Sequence, residues 1–303
     1  MIRTPLAGAL LAVLLLAMPG VSSAGVDPGA APPVAVAVTR DGDRWTADFT
    51  FAHVSPVWAF FQSALLRESR EPWRPSWWSV ETPGVVIDRQ GGYDVLRTTD
   101  GSPVPEHVRV VLRPQAGDLE AAYDPALMFS DGTVALYSGQ FDLIRLDSVA
   151  AARDLPTDLN GVDVEGEPSA VTWRDLSGPL LFKGERLDTV TAVGARTYVL
   201  FGDARIRTGQ GVTTVIDPGL PRWLGEELAS RLGPSPGGDP TLMVSWTGPT
   251  EQLSSMGGSV LPGLISMSFE GEGVLNPDRE ALDRAHWFIG HEAAHFWLGS
   301  NGL

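Results

Sequence analysis

Through its first and longer part, the chain alternates apolar and polar residues over short stretches that are bounded by turn residues. Trp45, Ala47, Phe49 and Phe51 are each separated by one polar residue, and the turn signal Asp41-Gly42 precedes them. A period of two is typical of half-buried β-strands. The same reasoning predicts strands at residues 34–38, 85–87, 108–112, 134–136 and 171–173. Short strands at this spacing favour an antiparallel sandwich or barrel.

Three further stretches of this part need separate interpretation. Asp131-Gly132 lies between two apolar runs and predicts a hairpin. Residues 57–67 fit either a helix or a buried strand. The tryptophan-rich residues 73–78 favour packing against a sheet edge, with a carbohydrate or peptide platform as the alternative. His53 and His107 stand alone in strand-like surroundings, which favours structural or solvent-exposed roles.

After about residue 205 the pattern changes to one in which helices and strands are mixed. Leucines at helical spacing predict a helix over residues 218–232, which ends at Gly233-Pro234. An apolar strand at 241–246, a glycine-rich loop at 256–259 and a strand at 264–269 follow.

The last predicted element is a second helix with clear signals at both ends. Asn276 is a good N-cap, Pro277 suits the first helical position, and Asp278 favours the positive end of the helix dipole. Gly299 is a suitable stop. Residues 285–298 are apolar nearly all round, so we expect this helix to lie in a core, and it is too short to span a membrane.

Composition narrows the possible partners and compartments. The 303 residues are enough for two domains, and the formal net charge of −15 comes from 37 acidic and 22 basic residues. A surface this acidic repels nucleic acid and anionic lipid, so neither is an expected partner. The chain has no cysteine, which excludes disulfides and thiolate chemistry.

The N-terminus has the features of a secretory signal. Arg3 precedes an apolar run at residues 6–18, and Ser22-Ser23-Ala24 offers a small-x-small cleavage site. We interpret residues 1–24 as a signal peptide, with a membrane anchor as the alternative. The mature protein is then expected to be periplasmic or secreted, without a transmembrane span.

The chemistry-bearing motif lies in the last helix, where residues 291–295 read His-Glu-Ala-Ala-His. His291 and His295 are one helical turn apart, so both imidazoles can reach one metal ion. Glu292 has no lysine or arginine three or four residues away, and an unpaired carboxylate in an apolar core is costly. A Zn²⁺ ion with bound water removes that anomaly. His286 lies on nearly the opposite side of the helix from His291 and is not expected to be a ligand.

The sequence of this helix resembles the active-site helix of the gluzincin zinc metallopeptidases, in particular the aminopeptidase-N-like family, whose helix reads H-E-L-A-H-Q-W-F-G-N. The preceding Pro262-Gly-Leu-Ile265 is similar to the end of that family's Gly-Ala-Met-Glu-Asn-Pro-Gly-Leu-Ile strand. The resemblance covers roughly the last hundred residues. The helix positions that match are His291, Glu292, Ala294, His295, Trp297, Gly299 and Asn301.

The resemblance implies an α+β fold, in which an N-terminal antiparallel β domain precedes the first part of a thermolysin-like catalytic domain. The expected divisions are a signal peptide at 1–24, a β-rich domain at 25–205 and a partial gluzincin catalytic domain at 206–303. It further implies hydrolysis of a peptide or protein substrate by metal-activated water, with Glu292 moving the proton. The family's third zinc ligand, a glutamate on the next helix, would lie beyond Leu303, so this chain is expected to end inside its catalytic domain.

The resemblance also bears on specificity. It makes Gly257, Gly258 and Val260 substrate-binding residues, and Val260 stands where the family has the glutamate that holds a free α-amine. Valine cannot bind an ammonium group, so the sequence leaves exopeptidase and endopeptidase action open. The alternative function is a non-catalytic exported β-domain binding protein with a relic zinc helix. Nothing in the sequence indicates the oligomeric state.

Overall fold

A computed structural model describes residues 32–121, 123–156, 166, 169–177, 189–191, 197–202, 205–209, 212–232, 241–246, 248, 255–261 and 264–298. This part of the chain is α+β, and most of its elements are strands, arranged in four sheets, with few helices. The predicted signal peptide at 1–24 and the predicted helix stop at Gly299 lie outside the described residues.

The part that ends at Phe201 is dominated by strands. Its elements are β1 (Val34–Asp41), β2 (Arg44–Phe51), β3 (Val57–Phe60), α1 (Trp73–Trp77), β4 (Trp78–Val80), β5 (Val85–Gln90), β6 (Tyr93–Thr98), β7 (His107–Leu112), β8 (Leu127–Met128), β9 (Val134–Tyr137), β10 (Leu143–Leu146), α2 (Val149–Asp154), β11 (Ser169–Asp175), β12 (Thr189–Thr191) and β13 (Thr197–Phe201). They form sheets in the orders β11-β1-β2-β7-β4, β10-β3-β6-β5 and β12-β13-β9-β8.

The predicted turn at Asp41-Gly42 and the predicted hairpin at Asp131-Gly132 are both confirmed. β1 pairs antiparallel with β2 across Asp41-Gly42, and β8 pairs antiparallel with β9 across Asp131-Gly132. Gly42 has a φ of 60° and Gly132 a φ of 85°, a region in which a side chain is strained. The prediction of a wholly antiparallel arrangement is wrong at one edge, because β11 pairs parallel with β1. That pairing needs a long crossover connection and leaves no local turn signal.

The ambiguous stretch at 57–67 begins as strand β3. Val57, Trp58, Ala59 and Phe60 are all buried, because both faces of this central strand are covered. A strand that is buried on both faces reads as a continuous apolar run, which explains the missing alternation.

The tryptophan-rich segment packs inside the β part. Trp73 and Trp78 are buried, and their rings cover the guanidinium of Arg74 at 4.4 and 4.8 Å. Arg74 Nη1 donates to Asp94 Oδ2 at 3.0 Å, and neither side chain is exposed. Arg89 Nη1 donates to the other carboxylate oxygen of Asp94 at 2.9 Å. The favoured packing interpretation therefore describes these residues, and the segment carries a buried ion pair that the sequence did not indicate.

The second part of the chain contains one mixed sheet and two longer helices. Its elements are β14 (Arg205–Gly209), β15 (Val212–Ile216), α3 (Arg222–Arg231), β16 (Thr241–Trp246), β17 (Ser255–Leu261), β18 (Leu264–Glu270) and α4 (Arg279–Leu298). The strand order is β14-β15-β16-β18-β17; β15, β16 and β18 are parallel, whereas β14 and β17 run antiparallel to their neighbours.

Two boundaries differ from the predictions. Helix α3 begins at Arg222, because the extended Pro221 stands at its N-cap. The glycine-rich residues 256–259, predicted as a loop, lie inside strand β17. Gly257 and Gly258 have low strand propensity, but pairing with β18 supplies the backbone hydrogen bonds that hold them extended.

Both helices pack on one face of this sheet. Leu224 and Leu228 of α3 and Phe288 and Ile289 of α4 are buried in a single apolar cluster with residues of β15, β16 and β18. Phe288 meets Phe269 of β18 edge to face, with ring centroids 5.6 Å apart. This packing fixes which side of α4 faces the sheet.

A buried carboxylate joins the two parts of the chain. Asp217 accepts hydrogen bonds from the backbone N–H of Ser130 at 2.8 Å, of Gly219 at 2.9 Å and of Trp246 at 3.0 Å. The Ser130 hydroxyl also donates to it. Around this contact, apolar residues of both parts share one cluster, whose buried members are Phe129, Ala135, Leu200, Val215, Met243 and Leu264.

Within the ranges that the structure describes, no helix has both the length and the apolar character needed to cross a bilayer.

Candidate functional site

The helix that carries the His-Glu-Ala-Ala-His motif begins two residues later than the predicted start. Asp278 is its N-cap, since its side-chain Oδ1 accepts from Ala281 N at 2.7 Å and its carbonyl accepts from Leu282 N at 3.0 Å. The predicted N-cap Asn276 is therefore wrong. Both residues can cap a helix, and only Asp278 stands directly before the first helical residue, where its side chain reaches the free N–H of the third.

One side of α4 faces helix α3 and carries His286. Its Nε2 lies 2.5 Å from Glu227 Oε1 of α3, and Arg231 Nη2 lies 3.0 Å from the same oxygen. The His286 bond is the largest of the contacts that lower the pKa of the Glu227 carboxyl. His286 is thus occupied in holding the two helices together and is not near the other histidines of the helix.

The two motif histidines converge on one point. His291 Nε2 and His295 Nε2 are 3.3 Å apart, with ring planes at 86°. Two nitrogen ligands at about 2.0–2.1 Å from one tetrahedral zinc ion lie roughly 3.4 Å from each other, so the pair fits two positions of such a shell. Trp287, which is 64% exposed, stacks on the His291 ring at 5.8 Å between centroids. The fit comes from the helix alone, because residues four apart project to the same side.

Glu292 occupies a different environment from the two motif histidines. The residue is 2% exposed, and its Oε2 is buried with no hydrogen-bond partner among the described residues. Burial raises the pKa of this carboxyl to about 7. A carboxyl with such a pKa can both accept and release a proton near neutral pH.

Strand β17 forms the wall against which Glu292 lies. A Cβ atom built on Gly258 would overlap Oε1 and Cδ of Glu292 and lie 3.0 Å from its Cγ. Met256 and Val260, two residues to either side of Gly258, pack against the apolar cluster under α4. Side chains alternate between the faces of a strand, so Gly257 faces the opposite way, where its carbonyl accepts from the Ser268 hydroxyl at 3.3 Å.

The structure therefore brings together some of the residues singled out from sequence and separates others. The Glu292 side chain meets Gly258 at the contact of α4 with β17, and His291 and His295 meet each other. Val260 is a packing residue on the same face of β17 as Gly258, and Gly257 lies on the far face. In the described ranges, no group of three or more histidine, aspartate or glutamate side chains could hold a metal ion. The contact of Gly258 with Glu292 was missed, although a glycine inside a strand signals close approach of another group.

Comparisons with known proteins give distant likenesses among solved structures only. No protein-family model matches the chain, and no curated protein matches it. Among solved structures, native leukotriene A4 hydrolase from Saccharomyces cerevisiae is similar with a TM-score of 0.32 and 12% identity. The alignment covers 89% of this chain and 44% of that protein, so the chain spans less than half the length of its structural neighbour. At this TM-score the likeness carries no conclusion about activity, and the function has to be argued from the site.

The buried Glu292 carboxyl predicts a pH-dependent stability of the metal-free chain. The pKa is 4.5 in its ordinary state and about 7 in the fold, so below pH 4.5 the group is protonated whether the chain is folded or not. As the pH rises from 4.5 to 7, the unfolded chain loses this proton while the folded chain keeps it, and unfolding becomes more favourable. Above pH 7 the penalty levels off.

Urea denaturation of chelator-treated protein checks this prediction. The Glu292→Gln variant has no titratable group at this position and is the matched reference. The free energy of unfolding of the wild type should fall relative to that of the variant as the pH rises across this interval. A difference that stays constant with pH would contradict the burial of the carboxyl.

Proposed function

We propose that this protein is a zinc-dependent hydrolase of peptide bonds, of gluzincin type and exported from the cytoplasm. The observation that carries the proposal is the convergence of His291 Nε2 and His295 Nε2 at 3.3 Å, on the helix that also carries the buried carboxylate of Glu292. The order of strands and helices from β15 to α4 and the Pro262-Gly-Leu-Ile265 stretch support the thermolysin-like assignment of this part. Residues 1–24 support export.

The residues divide the chemical work between binding and proton transfer. His291 and His295 would hold the zinc ion. When bound, zinc lowers the pKa of a coordinated water and polarises a carbonyl group. Glu292 accepts a proton and passes it to the leaving amine, and its raised pKa suits both steps. The absence of a hydrogen-bond partner on Oε2 leaves that oxygen available to accept.

Strand β17 would present the substrate. It pairs with β18 on one side and ends the strand order among the described strands. An extended peptide can add to the free edge of a sheet through backbone hydrogen bonds, which bind without regard to side-chain sequence. Val260 supplies no charge for a free α-amine, so we propose cleavage that does not require an unblocked N-terminus.

Zinc binding by the full-length protein tests the proposal. We expect the wild type to bind zinc and to cleave a blocked fluorogenic peptide, with loss of cleavage on chelation and recovery on addition of zinc. His291→Ala and His295→Ala should each weaken zinc binding by about two orders of magnitude or more, because each removes a ligand. His286→Ala is the matched control, since it removes a histidine of the same helix that contacts Glu227 instead.

Two outcomes would overturn the proposal. One is zinc affinity that is unchanged in both motif variants, which would place the metal elsewhere. The other is a wild type that binds blocked peptides without cleaving them at saturating zinc, which would favour a binding protein with a relic zinc helix.

A further inference from the structure

A second feature of the site concerns how the Glu292 carboxylate is held. In this structure it is not oriented by hydrogen bonds to Oε2, which has no partner among the described residues. Its position follows from shape, because the side chain leaves the buried side of α4 and runs against the backbone of β17 at Gly258. We call the space above Gly258, between the side chains of Met256 and Val260, the Gly258 notch.

We propose that Gly258 is the positioning residue for Glu292, because the missing side chain at 258 makes the notch that receives the carboxylate. A Cβ at this position would overlap both Oε1 and Cδ, so a side chain here would displace the carboxylate from the place it has in this chain, where glycine stands at the position of the alanine in the resembling family's strand. The neighbours on the same face are bulky and pack into the cluster under α4, so they close the notch on both sides. The role of Glu292 as a base rests on the proposed function, whereas its seating in the notch does not.

The notch has a chemical consequence for the site. Because Oε2 has no hydrogen-bond partner among the described residues, the lone pairs of that oxygen stay free to accept. Contact with an edge strand also places the group beside the backbone to which a peptide would pair. Gly258 thereby determines the position of the Glu292 carboxylate and its distance from a bound peptide.

A double-mutant cycle on the full-length protein tests the seating of Glu292 without any need for activity. Gly258→Ala should lower the ratio of folded to unfolded protein by about tenfold in the wild type, and should have no such effect in the Glu292→Ala background, where nothing is left to overlap. Gly257→Ala is the matched control for unfolding, because its Cβ would meet only Ser268 Oγ, at 2.9 Å, on the opposite face. Its effect should be the same in both backgrounds.

A kinetic measurement separates positioning from a general loss of stability. At a temperature where the variant is fully folded, Gly258→Ala should lower kcat by about tenfold or more, with KM and the zinc dissociation constant within about twofold of the wild type. An equal effect of Gly258→Ala with and without the Glu292 side chain would overturn the inference. The cycle could show coupling between Gly258 and Glu292 while the wild type cleaves no peptide. That result would support the seating of Glu292 and contradict the proposed function.

Discussion

Replacing Glu292 with glutamine should lower kcat for peptide cleavage by about 10²–10⁴-fold while leaving zinc affinity within a few-fold of the wild type. The amide has the shape of the carboxylate and fits the Gly258 notch, but it cannot accept a proton near neutral pH. The zinc ligands are untouched, since the carboxylate lies on the buried side of α4 and the imidazoles on the exposed side. Steady-state kinetics and a zinc titration on the same preparation measure the two effects.

Glu280→Gln is the matched control for this change. Glu280 stands in the first turn of the same helix, is largely exposed and pairs with Arg284 at 3.0 Å. The control should change kcat by less than about twofold, because it alters only an exposed ion pair in the first turn of the helix. A pair of this kind also contributes little to stability. Full activity in Glu292→Gln would exclude this residue as the base.

Replacing Asp94 with alanine should lower the free energy of unfolding by about 3–5 kcal/mol, the largest stability effect that we expect. The substitution leaves Arg74 fully buried with its charge unpaired, beneath the rings of Trp73 and Trp78. Arg89 loses its partner as well, but it is partly exposed and can turn to water. Urea denaturation followed by tryptophan fluorescence measures the change, because these rings report on the same region.

Asp118→Ala provides the comparison on the surface. Asp118 accepts from Arg67 Nε at 3.1 Å, and both side chains are more than half exposed. Removing it should change stability by less than about 1 kcal/mol. If Asp94→Ala does not fold, Asp94→Asn keeps the shape and one acceptor and gives a smaller loss in the same direction. Equal losses in the free energy of unfolding for Asp94→Ala and Asp118→Ala would show that the buried ion pair stabilises the fold no more than the exposed one.

How much of the fold the sequence predicts depends on where each strand lies. Trp45 to Phe51 alternates because one face of β2 is buried, so the pattern was readable. Strand β3 is buried on both faces, so its apolar run fitted a helix as well as a strand. The alternation at residues 171–173 predicted β11 as a strand, but its parallel pairing with the distant β1 left no local signal. The ion pair between Arg74 and Asp94 was hidden for the same reason, since it forms only when distant segments meet.

The candidate site divides in the same way. The convergence of His291 and His295 follows from helical spacing, and the sequence was sufficient to predict it. The seating of Glu292 against Gly258 depends on how α4 crosses β17, which is set by the packing of Phe288 and Ile289 on the sheet. The start of the helix was misplaced because Asn276 and Asp278 are both good caps, and only the fold decides between them.

The contact around Asp217 brings together segments of the chain that are synthesised at different times. Phe129, Leu200 and Ser130 leave the ribosome well before Met243 and Leu264, the residues of the second part that complete their shared cluster. Until those strands arrive, the β part carries an uncovered apolar surface, which is the kind of surface that chaperones bind. The nascent chain therefore finishes the burial of its first part only when the sheet beneath the histidine helix has formed.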